Sequence, residues 1–167
     1  MSDTTQPARR RRPGHARFLV ALLAIGLAAC STPQGLLEPV APAPNTDRVD
    51  MLAATTRAPS DDPGILFSGE RGENVSFRRL VVSIPRDREA GTIQLPRSAP
   101  GDPARDFVVT ASTAVPKGQL LDWFRATQGR AKRVFVFVHG YNTGFDDAVY
   151  RLTQIVHDSG YPGTPLL

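Results

Sequence analysis

Residues 139–144, His-Gly-Tyr-Asn-Thr-Gly, set an imidazole just before one glycine and a phenol, an amide and a hydroxyl between it and a second, at the junction of an apolar run and a helical pattern. Gly140 lets the backbone pass close to a ligand and take conformations that other residues avoid. A corner of this kind can aim N–H groups at an oxygen that becomes negative during acyl transfer, each donor contributing about 3 kcal/mol. A phosphate held by the Gly140 to Gly144 loop is the weaker chemistry. The chain has no P-loop lysine and no dinucleotide fingerprint, and Asp146 with Asp147 would repel the anion. The simplest reading of His139 is a hydrogen-bonded loop residue, and that of His157 a helix-end cation or a solvated side chain. Ser68 and Ser159 each precede a glycine, but Gly-x-Ser-x-Gly occurs nowhere. The lone cysteine, Cys30, rules out a disulfide within one chain, and no cysteine cluster offers a metal site. No metal or cofactor is expected.

The corner needs a strand before it and a helix after it. Val134, Phe135, Val136, Phe137 and Val138 show no polar alternation, which predicts a parallel central strand buried on both faces. Beyond the corner, Phe145, Ala148, Val149, Leu152, Ile155 and Val156 recur at three and four, the stripe of a helix packed on a sheet. Thr143 and Asp146 have capping-box spacing, with Asp in place of Glu. Asp146 and Asp147 suit the positive helix start, His157 the last turn and Gly160 a left-handed cap, and Pro162 stops continuation.

Upstream, the domain is expected to open near Arg48 with the strand-like run 49–57. A loop over 58–75 and a strand over 76–85 follow. Short strands are predicted at 91–96 and 106–112, and a helix at 118–127 places Leu120, Leu121, Trp123 and Phe124 against the sheet, with Trp123 in the core. Residues 162–167 read as entry into a further strand. The fold class is α/β: an incomplete, mostly parallel sheet flanked by helices, after a disordered leader and tether.

Residues 1–29 read as an export leader, with Arg9 to Arg12 and Arg17 ahead of the apolar 18–29. Twelve residues of helix reach about 18 Å, short of the roughly 30 Å hydrocarbon layer. Of the 20 Lys+Arg and 16 Asp+Glu, this leader holds five and one, so the remainder is formally neutral. The basic pI therefore gives no support for nucleic-acid binding. Residues 30–47, with four prolines from Ser31 onward, read as an extended tether. Leu27-Ala28-Ala29-Cys30 resembles the lipobox of bacterial lipoproteins. That resemblance implies lipid on Cys30, attachment to a membrane and, with Ser31 following, an outer-membrane position facing the periplasm.

The run from Val134 to Asp158, supported by 51–57 and 76–85, resembles the third-strand segment of the α/β-hydrolase fold. It is most similar to uncharacterised bacterial proteins described as esterase/lipase-like. The likeness spans most of 48–167. It implies that the Tyr141 backbone N–H is an oxyanion donor, that His139 and Gly140 shape the loop, that Asn142 braces it, and that the substrate is a small ester or acyl compound. In that fold the order is serine, acid, histidine, so His139 and His157, which precede any elbow serine, do not fit the triad. Residues 48–167 are then expected to be the amino-terminal part of the domain, inactive alone, with an open edge and poor solubility. The competing expectation is a non-catalytic envelope lipoprotein that uses the scaffold to bind protein.

Overall fold

A computed structural model describes residues 35–127 and 132–167, so the expected leader and Cys30 lie outside the described residues. Strands β1 (Thr46–Pro59), β2 (Phe67–Pro85) and β3 (Val108–Ala114) are followed by a 3-10 turn at Lys117–Gln119 and helix α1 (Leu120–Thr127). The chain continues through β4 (Val134–Val136), helix α2 (Phe145–Ser159) and β5 (Thr164–Leu166). The strand order is β3-β2-β1-β5-β4. The fold is α/β, and its sheet is mixed: β3, β2 and β1 pair antiparallel, while β1 with β5 and β5 with β4 pair parallel.

Alternation along the strands decides which face closes. Val49, Met51 and Ala53 share a face with Leu80, Val82, Ile84 and Val109, and α2 lays its apolar stripe over it. The stripe is the expected one: Phe145, Ala148, Val149, Leu152 and Val156 are buried and Ile155 is half-buried. Gly160 ends the helix in the left-handed conformation at φ 60°, its N–H donating to the His157 carbonyl. Phe67 meets Phe145 edge-on at 4.8 Å, and Phe107 meets Tyr150 at 6.4 Å.

Several expectations need correction. The stretch read as tether over 30–47 sends Leu36 and Leu37 into the core, and the Leu36 carbonyl accepts from Tyr150 Oη at 2.5 Å. Between prolines, two leucines leave no periodicity to betray them. Residues 67–75, expected as loop, extend β2 because pairing with β1 supplies the order that their polar, glycine-broken sequence does not. The predicted strand at 91–96 is irregular; it gives a single bond to β3's approach, from Phe107 N to Gln94 O at 2.8 Å. Helix α1 buries no residue fully, and Trp123, expected in the core, is half-buried with its ring against Phe124 at 5.1 Å.

The largest correction concerns β4. It lies at the sheet edge rather than the centre and is open on one face. Phe135 and Phe137 pack against the core, whereas Val134, Val136 and Val138 are 37%, 61% and 84% exposed. Two-sided apolarity reports that both faces suit burial; it does not say that both have a partner among the described residues.

Candidate active site

β4 and β5 run in parallel register, Val134 opposite Thr164 and Val136 opposite Leu166. One bond beyond the strand, from Phe137 N to Leu166 O at 2.8 Å, prolongs the ladder. The chain then leaves the carboxyl end of a parallel strand, where open α/β sheets form their crevice. His139, Gly140 and Tyr141 are brought together there as a short exposed corner. His139 Nδ1 donates to the Gly140 carbonyl at 3.0 Å, and the Tyr141 ring stands fully in solvent.

Two expectations about this corner fail. The left-handed residue is Asn142, at φ 56°, and not Gly140, where an added Cβ would meet only Thr143 Oγ1 at 3.8 Å. Asn tolerates that conformation better than other non-glycine residues, so the left-handed position falls two residues beyond Gly140. The capping box is also absent: Gly144 occupies the cap position with no side-chain bond. Asp146 and Asp147 do lie in the first turn of α2, as the dipole favours. Among the described residues the N–H groups of residues 140–143 make no hydrogen bond. They are donors without an acceptor, beside a helix start whose own first amides are unpaired by construction.

Two clefts flank the corner. One of about 600 Å³ lies between the loop and α2, with Ile93, Leu95 and Phe137 as apolar wall and His139, Asp147 and Arg151 as polar lining. The other, of about 510 Å³, is bordered by Arg57, Ser68, Tyr141, Asn142, Gly144 and Asp146. Arg57 is the residue that sequence reasoning missed. Its guanidinium donates to the Thr143 carbonyl at 2.6 Å and to the Ser68 carbonyl at 3.2 Å. The available signal was a lone cation closing an otherwise uncharged Ala-Ala-Thr-Thr run.

Among the described residues no serine hydroxyl hydrogen-bonds a histidine, and no group of three or more His, Cys, Asp or Glu is placed to hold a metal. His157 is engaged away from the corner: its ring nitrogens sit 2.9 Å from Asp158 Oδ1 and 3.3 Å from Asp47 Oδ2. Arg88, only 3% exposed, pairs with Asp158 and donates to the Thr92 carbonyl at 3.0 Å. Burial alone would raise the Asp158 carboxyl's pKa, but donors from Arg88, His157, Gln154 and the Gly91 amide outweigh it and hold the group well below the usual carboxylate range. The Asp47 carboxyl is lowered by Arg86 and then by His157. This network ties the end of α2 to the turn after β2 and is structural.

The family model described as an alpha/beta hydrolase of unknown function (DUF900) matches residues 118–167, from the 3-10 turn before α1 to just past β5. No curated protein and no solved structure matches the chain. The matched segment contains the whole corner, and the scaffold is hydrolase-like.

Proposed function

We propose, taking the hydrolase match over residues 118–167 as premise, that the corner is the oxyanion end of an ester or acyl hydrolase site. The Tyr141 amide is the donor, and His139 and Gly140 shape its approach. The observation that carries this reading is the set of unpaired amides over residues 140–143, at the carboxyl end of a parallel strand and between two clefts. As a nucleophile adds to an acyl carbon, charge moves onto the carbonyl oxygen, and an amide already in place stabilises it without reorganising. In the order serine, acid, histidine, all three groups would follow the corner in the chain. The open edge of β4, with its exposed valines, is where the strands carrying them would add. The proposed chemistry calls for no cofactor.

The same reading anchors the domain in the bacterial envelope through lipid on Cys30, facing the periplasm. Incorporation of labelled fatty acid that survives Cys30→Ser would remove this part. For the site, Tyr141→Pro deletes the donor and Tyr141→Ala keeps it, and neither touches a packed side chain. With the protein expressed from its gene with the native leader, hydrolysis of p-nitrophenyl butyrate is expected to fall about 10²–10³-fold in kcat for the proline variant and to hold for the alanine variant. Equal rates in both would refute the donor. Absence of turnover in the unaltered protein would leave the alternative, an envelope lipoprotein that binds protein through this scaffold.

A further inference from the structure

Arg57 reaches across 86 residues of chain to the corner, and the fold is built to send it there. The β1–β2 pairing slips twice around it, between Thr55 and Arg57 and between Arg57 and Pro59. Bulges of this sort re-aim a side chain out of the regular ladder. The Arg57 N–H is taken by Thr55 Oγ1 at 3.1 Å, which holds the bulge. Across the hairpin Gly72 lies so near that an added Cβ would stand 3.0 Å from the Arg57 carbonyl. The half-buried side chain then binds one carbonyl of its own hairpin, Ser68, and one of the corner, Thr143.

We infer that Arg57 is the positioning residue of the candidate oxyanion loop; the inference rests on the reading of that loop given above. Thr143 directly precedes the cap of α2, so holding its carbonyl fixes the peptide plane between loop and helix. The N–H groups of residues 140–143 stay free for an acceptor, but their directions are set from the sheet through one guanidinium. A planar fork can serve two carbonyls at fixed angles; an ammonium on a flexible stem is a point charge and cannot do so as well. The role is distinct from catalysis, since Arg57 acts through the backbone of Thr143.

The test uses the protein expressed from its gene with the native leader, in detergent micelles, with backbone amide relaxation measured for the unaltered protein, Arg57→Ala and Arg57→Lys. Order parameters over residues 140–144 are expected to drop from the rigid range, about 0.85, to below about 0.6 in the alanine variant. The lysine variant should lie between, with α2 and β1–β3 unchanged in both. On the same ester, kcat should fall on the order of tenfold in Arg57→Ala, with KM unchanged and partial recovery in Arg57→Lys. An unchanged loop in Arg57→Ala, or a loss of order spread evenly along β1 and β2, overturns the inference. If the loop loosens in Arg57→Ala but Tyr141→Pro leaves turnover intact, the positioning contact stands and the oxyanion reading falls.

Discussion

The antiparallel half of the sheet and its parallel half are built on opposite terms. In β1 to β3, Met51, Leu80, Val82, Ile84 and Val109 are fully buried beneath α2. Along β4 and just beyond it Phe135 and Phe137 pack against that core while the valines face outward, and past Phe137 the chain gives up its ladder for a corner with unpaired amides. The first half holds the molecule together; the second leaves backbone donors without a partner among the described residues. On the proposed reading stability and chemistry are separated along the sheet, and Arg57 makes a side-chain hydrogen bond from the first half to the loop of the second.

That contrast can be broken most forcefully at Leu80. Leu80→Ala should cost about 2–5 kcal/mol, through lost burial and a cavity, whereas Val136→Ala should stay within about 0.5 kcal/mol. Urea unfolding of the two variants measures the gap; similar losses would mean that the valine face is covered in solution. Next in size is the Arg88–Asp158 pair, the polar tie of α2 to the antiparallel half. Arg88→Ala removes the arginine partner of a carboxylate that is 13% exposed and should cost about 3 kcal/mol. Because the folded Asp158 carboxyl is depressed, its contribution is complete above the unfolded value near 4 and drains away as pH falls below it. Thermal melts between about pH 5 and 2 should therefore steepen for the unaltered protein and flatten for Asp158→Asn; parallel curves would remove this carboxylate from the acid response.

The same contrast governs what was legible in the sequence. Helix α2 could be read residue by residue, from its acidic first turn to the Gly160 cap, because its stripe, its charges and its terminator agree. The strand expectation at 76–85 likewise falls inside β2. What could not be read depends on partners distant in the chain. The core role of Leu36 and Leu37 is fixed by Tyr150 and by the Gly64 carbonyl, which accepts from Leu37 N at 2.8 Å. The strand at 67–75 exists through its pairing with β1, and the exposure of Val136 follows from its place at an edge that periodicity cannot locate. At the corner the position of the turn was legible, but the left-handed residue was misassigned to Gly140 because glycine is the usual occupant and Asn142 a rarer one. Arg57 was invisible as a site residue, since its reach is set by two register shifts that no local pattern announces.

In the proposed site the Tyr141 amide meets the oxygen on which charge develops. The direct measurement is a crystal structure of the protein after reaction with an aryl phosphonate, whose phosphonyl oxygen mimics that atom. This oxygen should lie about 2.7–3.1 Å from the Tyr141 nitrogen. A phosphonyl group bound with its oxygen turned away from residues 140–143 would contradict it.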